Sequence, residues 1–239
     1  MLVLSLDTTT RRGSAALRRD GVLVDCELGD GSRTHGERLP GDLMRLLDRN
    51  DCRPADVDLF AVAAGPGSFT GLRIGIATMQ GFALANGRKI VGVSALEALN
   101  AAVGTDSRLV GAMMDAQRGQ VFAALYRANF VVDAPCVDAP DVVLARWTAL
   151  AAGNPVILIG DGALAYENLV SGSGLEATVV PDVPPIAPAI ARLAEEAAAR
   201  GEAIGPEAIR PLYIRRPDAE LARDRARGAE TLSPEVPRA

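Results

Sequence analysis

The sequence predicts an α/β protein built from two similar units, each a mixed β-sheet with flanking helices. The first observation is an internal echo. "VLSLDTTTRRGSAAL" (3–17) and "VGAMMDAQRGQVFAAL" (110–125) share one shape: apolar strand, Asp, short polar turn with Arg and Gly, second apolar strand. The second is that each copy leads into a further strand-like run and then a helix-like segment, so a β-β-β-α unit is present twice. The third is bulk composition. The chain has 239 residues, 49% of them apolar, which suffices for one large or two small globular units.

The elements come in a readable order. Residues 2–6, 13–17 and 21–28 read as a three-strand meander, with an Asp20-Gly21 hairpin signal between the last two. Residues 34–50 read as a helix. Thr34 and Glu37 are spaced as a capping box, and Leu39, Leu43, Leu46 and Leu47 form an apolar stripe, with Arg38, Asp42, Arg45 and Asp48 off it. Pro40 conflicts with a start at His35, so the regular helix begins near Pro40 or kinks there. Strands at 59–63 and 90–93 bracket a glycine-rich loop and a second helix, and Ser94 and Glu97 open a third. The second half repeats this order more loosely. It reads as strands at 108–114, 120–126, 130–132 and 155–159, helices at 141–152, 163–170 and 188–200, a turn at 160–162, and a short strand at 212–214. These patterns divide the chain into a first lobe (1–104), a reduced second lobe (105–216) and a charged, mobile or peripheral tail (217–239) rich in Arg, Asp, Glu and Pro. Two such units facing each other build the actin-like fold of sugar kinases, heat-shock chaperones and actin, a likeness of fold that does not settle function.

Gly65-Pro66-Gly67-Ser68-Phe69-Thr70-Gly71 has the look of a phosphate loop, but it meets neither standard fingerprint. After Gly67 the next glycine comes too early for a Walker A loop, and Leu72 stands where Lys is needed. Thr70 occupies the last glycine position of a dinucleotide motif. A strand-to-helix turn capped by Ser68 or Thr70 is favoured over a phosphate cradle. Gly71 and Gly75 share one helical face, continued by Thr78, Met79 and Phe82. That face admits close approach either of the chain's own sheet or of a partner's helix.

Composition removes several chemistries. Net charge is −5, which argues against autonomous nucleic-acid binding. A single histidine, His35, excludes metal sites with two His ligands, and its place at a charged helix start favours a solvated or capping role. Cys26, Cys52 and Cys136 are too scattered for a zinc site or a disulfide framework. No signal peptide or membrane span is visible, so a cytoplasmic protein is expected. Asp7, Thr8 and Thr9 close the first strand where actin-like ATPases hold phosphate and organise a metal. A turn-forming Asp explains them equally well, and the same choice applies to Asp115 in the second unit.

Taken together, "LSLDTTT", "HGERLPGDLMRLL", "AAGPGSFTGLRIGIATMQGFA", "VGVSALEAL", "MDAQRGQVF", "GDGA" and "PLYIR", in this order, resemble the bacterial TsaB (YeaZ) family over about residues 1–216. The resemblance implies a two-lobed actin-like fold and a non-catalytic role in making threonylcarbamoyladenosine in tRNA. It implies pairing with the catalytic subunit TsaD, recruitment of the ATPase TsaE, and contact with tRNA only through the complex. In isolation the same surface could form a homodimer. No metal or required cofactor is implied, and Asp7, Thr8 and Thr9 would form at most a degenerate phosphate loop with weak ATP or ADP binding. The pairing surface implied is the first two helices, with His35, Leu39, Leu43, Leu46, Leu47, Gly71, Leu72, Gly75, Ile76, Met79 and Phe82 as contact residues. On that reading Leu43→Glu or Gly75→Leu would abolish pairing and leave the fold intact. The sequence departs from the family's pattern at Gly36, where Ser is common, and at a leucine pair reduced to Leu39. The competing reading is an independent actin-like small-molecule kinase or ATPase using Asp7 and Asp115; a peptidase is a remote third.

Overall fold

The computed structural model describes residues 1–10, 12–104 and 107–215. Two five-stranded sheets repeat one topology. In the first, β1 (Leu2–Asp7), β2 (Ser14–Arg19) and β3 (Val22–Leu28) form an antiparallel meander. After α1 (His35–Asp48), β4 (Leu59–Gly65) adds parallel to β1; after α2 (Phe69–Ala85), β5 (Lys89–Ser94) adds parallel to β4. The order is β3-β2-β1-β4-β5. α3 (Ala95–Val103) leads to the second unit. There β6 (Leu109–Asp115), β7 (Val121–Arg127) and β8 (Phe130–Asp138) form the meander, α4 (Pro140–Ala151) comes next, and β9 (Val156–Ile159) pairs parallel with β6. Two short helices, α5 (Asp161–Ala165) and α6 (Glu167–Gly172), precede β10 (Ala177–Val179), and α7 (Ala187–Ala199) then returns to pack on β1 and β2 of the first sheet. The order β10-β9-β6-β7-β8 is that of the first sheet read backwards.

β1 and β4 are buried along their whole length, as central parallel strands with both faces covered must be. One hydrophobic cluster joins the two sheets. It runs from Val3 and Ala61 of the first through Leu96 of α3 and Ile190 of α7 to Val110 and Tyr126 of the second. A second cluster lies under α1 and α2, and a third under α4, where Trp147 is fully buried and its indole N–H donates to Asp133 Oδ2 at 2.8 Å.

Several sequence expectations change. α1 starts at His35 and runs through Pro40, which removes one internal hydrogen bond without ending the helix. Thr34 N and Oγ1 both donate to Glu37 Oε2, at 2.9 and 2.7 Å, and hold that start. Arg38 and Asp42, which the sequence places off the buried stripe, are themselves buried, and Arg38 Nη1 donates to Asp42 Oδ2 at 2.6 Å. A charge enters a low-dielectric site only with such a partner. Residues 160–162 are no free turn: Gly160 precedes α5, which begins at Asp161. Residues 212–214 are not a strand; a single sheet-like bond, Leu212 N to Ala64 O at 2.6 Å, ties them to β4. β10 is an element that the sequence pattern does not announce. Arg215, near the end of the second lobe, is bonded to the β6–β7 connection. The tail expected at 217–239 lies outside the described residues.

Leu39, Leu43, Leu46 and Leu47 are at most 2% exposed and pack on Leu4, Leu6 and Phe60. Leu43→Ala therefore costs about 2–5 kcal/mol in urea denaturation. Leu43→Glu, expected from sequence to spare the fold, places an unpaired charge in this core and prevents folding, read as loss of the cooperative transition.

Candidate functional site: an inter-lobe cleft and a two-helix face

The loops at the carboxyl ends of the central strands meet across a cleft of about 870 Å³. Thr9, Thr10, Gly67 and Ser68 line it from the first unit, and Asp115, Gln117 and Asp161 from the second. Asp7 and Asp115 stand at matching positions and make matching turns. Asp7 Oδ1 accepts from Thr9 N at 2.8 Å and Thr9 Oγ1 at 2.6 Å. Asp115 Oδ1 accepts from Gln117 N at 2.8 Å, and its Oδ2 from Gln117 Nε2 at 2.6 Å. Both carboxyl groups thus organise their own turns. Burial pushes Asp7 above the usual carboxylate range, against the hydrogen bonds from Thr9 and Thr10; the charge of Asp161 acts in the same direction. Burial raises Asp161 as well, although its Oδ1 accepts from Asp115 N at 3.0 Å.

The glycine-rich loop receives its own chain. A Cβ on Gly67 would lie 2.5 Å from Thr9 Cβ, one on Gly71 2.3 Å from Thr8 O, and one on Gly75 2.2 Å from Thr8 Oγ1. Only bare Cα positions let the turn after β1 approach α2 this closely. Ser68 N donates to Thr9 O at 3.1 Å, and Ser68 Oγ accepts from Gly71 N at 3.3 Å, which makes Ser68 the helix cap. The small-residue face that the sequence offered to a partner's helix is therefore filled by Thr8.

The same inward packing runs along both helices. Of the eleven contact residues implied by the resemblance, Leu39, Leu43, Leu46, Leu47, Gly71, Leu72, Gly75, Ile76 and Met79 are buried within the chain, and His35 and Phe82 are half-buried. Apolar periodicity marks the core-facing side of each helix, which is what such a stripe measures. His35 is not solvated. Its Nε2 lies 3.0 Å from Thr10 O and its Nδ1 3.0 Å from Arg38 Nη2, so it ties α1 to the turn after β1. Burial, with the Arg38 charge adding to it, pushes the imidazole below its ordinary value, against the bond to Thr10. Phe82 packs on Phe60 with ring centroids 6.3 Å apart.

The outward side of the pair is a feature that the sequence reasoning misses. From Ile74 to Ala85, α2 carries no charged residue, yet Ala77, Gly81, Leu84 and Ala85 are exposed, Leu84 at 72%. Pro40, Gly41 and Met44 are exposed on the neighbouring α1. The signal is present as a helix that carries no charge on any side from Ile74 to Ala85.

Two variants test this geometry. Gly75→Ala forces a methyl group onto Thr8 and lowers unfolding free energy by about 1–3 kcal/mol in urea denaturation. Asp7→Asn removes a carboxyl whose folded-state pKa is raised. The stability that Asp7 gives when protonated is fully present below its unfolded value, 3.8 being ordinary, and is lost as pH rises through the higher folded value. The stability of Asp7→Asn relative to wild type therefore increases with pH across that window and then levels off, measured by denaturation at a series of pH values.

Comparisons with known proteins agree with this architecture. The family described as "TsaD: tRNA N6-adenosine threonylcarbamoyltransferase" matches residues 30–204. The tRNA threonylcarbamoyladenosine biosynthesis protein TsaB of Escherichia coli is 30% identical over 222 residues, covering 90% of this chain and 95% of the relative. The solved structure of YeaZ from Pseudomonas aeruginosa superposes with a TM-score of 0.74 at 30% identity, covering 89% of this chain and 99% of that one. Component A of (R)-2-hydroxyglutaryl-CoA dehydratase from Acidaminococcus fermentans, with a TM-score of 0.54 at 13% identity, covers 83% of this chain and 99% of its own and is alike in fold alone. With two mixed sheets of one repeated topology, the fold is the actin-like one, and the chain belongs to the TsaB (YeaZ) family.

Proposed function

We propose that this protein is a non-catalytic subunit in the biosynthesis of threonylcarbamoyladenosine in tRNA. It acts by pairing with the catalytic subunit TsaD and supporting recruitment of the ATPase TsaE. The observation that carries this reading is the outward side of α2, uncharged from Ile74 to Ala85, together with exposed Met44 on α1, in a chain of the TsaB family. The buried leucines of α1 and the Gly71/Gly75 seam serve this surface indirectly, by fixing the two helices on the lobe. The actual contacts fall to Met44, Ala77, Gly81 and Leu84. A second copy of the chain would cover the same face when TsaD is absent. No cofactor is required on this reading, and ATP or ADP in the cleft would be held weakly, since Asp7 and Asp115 already have donors within their own turns. With a net charge of −5, tRNA is reached through the complex. A cytoplasmic location is part of the same proposal. No described helix is long and apolar enough to cross a membrane.

The test is reconstitution with TsaD, TsaE, the adenylate-forming enzyme, tRNA, threonine, bicarbonate and ATP. Modified adenosine is expected only when this chain is present, and the chain alone is expected to hydrolyse no ATP. Equal modification without it, or ATP turnover by the chain alone, favours the independent-enzyme reading. Gly81→Glu and Leu84→Glu lie on the exposed side, and a Cβ on Gly81 meets no atom within 4 Å. Both variants are expected to fold normally and to weaken pairing by about tenfold or more, as loss of a central apolar contact does. Unchanged affinity in both would place the interface elsewhere.

A further inference from the structure

The segment after α7 runs back along the first lobe and reaches the second at Arg215. Ile204 exchanges two backbone bonds with Ile90, each 3.0 Å. Gln80 Nε2 donates to Pro206 O at 2.7 Å, and Ile209, 3% exposed, packs against Gly92, where a Cβ would meet it at 3.3 Å. Leu212 then runs so close to β4 that a Cβ on Gly65 would lie 2.5 Å from Leu212 O. At the cleft mouth Tyr213 stacks on Phe69 with centroids 5.4 Å apart. The Arg73 guanidinium sits 4.1 Å over the Phe69 ring, and its Nε donates to the Tyr213 hydroxyl at 3.1 Å. Two residues on, Arg215 leaves the first lobe. Its Nη1 donates to Ala116 O at 2.6 Å, its Nη2 to Gln120 Oε1, and its guanidinium lies 5.6 Å from the Phe122 ring centroid. Ala116 and Gln120 belong to the β6–β7 connection, on the far wall of the cleft.

We propose that residues 212–215 form a latch that holds the cleft closed, with Tyr213 as its anchor on the first turn of α2 and Arg215 as its bolt on the second unit. This goes beyond the pairing role and does not depend on it. The interactions at the crossing are side-chain hydrogen bonds, a ring stack and cation–π contacts, each weak enough to be broken reversibly. Only Ile214 separates anchor from bolt, so slack at one end is transmitted to the other. Opening the cleft requires Arg215 to release the β6–β7 connection. Conversely, displacement of Phe69 or Arg73 at the start of α2 disturbs the seat of Tyr213 and loosens Arg215.

The test is residue-resolved hydrogen exchange by NMR on the full chain, comparing wild type with Arg215→Gln, Tyr213→Ala and the double variant. The reporters are hydrogen-bonded amides on the two walls, Ser68 and Leu72 on one and Ala116 and Gln120 on the other. Amides of β1 serve as the control for an intact fold. Each single variant is expected to speed exchange on both walls by about threefold or more while leaving β1 unchanged, and the double variant is expected to add little to either single one. If Arg215→Gln affects only Ala116 and Gln120, and Tyr213→Ala only Ser68 and Leu72, the two ends are independent and the latch is refuted. Exchange unchanged on both walls in all variants refutes it too.

Discussion

The arrangement depends on one steric constraint, the approach of the turn after β1 to the start of α2. Gly67, Gly71 and Gly75 present no side chain to Thr8 and Thr9, and the backbone and threonine side chains of the turn occupy the space. Glycine in a helix interior costs about 1 kcal/mol relative to alanine. Here the cost of Gly71 and Gly75 is offset by seating a 17-residue helix directly on the end of the central strand. The seat fixes three further features. It aims the first turn of α2 at the cleft, turns Ile76 and Met79 into the core, and leaves Ala77, Gly81 and Leu84 outward.

α1 is held to the same turn by polar means. His35 bridges Thr10 and Arg38, Arg38 also donates to Arg12 O, and Asp42 closes the set by pairing with Arg38. With His35 neutral, Nδ1 accepts from Arg38 and Nε2–H donates to Thr10 O, so one tautomer satisfies both neighbours. The two helices thus reach one loop by different means, α2 by missing atoms and α1 by a hydrogen-bonded chain.

The legible part of the sequence is whatever repeats or alternates. The echo between 3–17 and 110–125 announces the duplicated topology, and the leucine stripe announces α1 despite Pro40, because four buried leucines outweigh one lost hydrogen bond. The sides of the helices are harder to read. Periodicity identifies the face that must be buried but not what buries it, so residues packed on their own sheet look the same as partner contacts. α2 misleads in a further way: from Ile74 to Ala85 it carries no charge on either side, and only the packing separates its inner side from its outer one. The Arg38–Asp42 pair hides in plain (i, i+4) charge spacing, which on most helices marks a solvated face. The short extended piece at 212–214 looks like a strand because β-branched and aromatic residues suit any extended backbone; its neighbours, not its sequence, limit it to one sheet-like bond.

Comparing the two units shows why the surface proposed for docking belongs to the first. Both use the same device at the end of the central strand. In the second, a Cβ on Gly160 would lie 2.0 Å from Met113 O, and one on Gly162 2.7 Å from the Met114 carbonyl carbon, as glycines of the first crowd Thr8 and Thr9. Beyond the seam the two units diverge. The first continues into a single helix, Phe69–Ala85, long enough to carry both an inner and an outer apolar side. The second breaks at Tyr166 into helices of five and six residues, which cover β9 and β10 and end. The two units therefore share the turn geometry that builds the cleft, while a single long helix after that turn is present in the first unit and two short ones in the second. The residues that the proposed latch uses, Tyr213 and Arg215, come from neither repeat but from the segment after both.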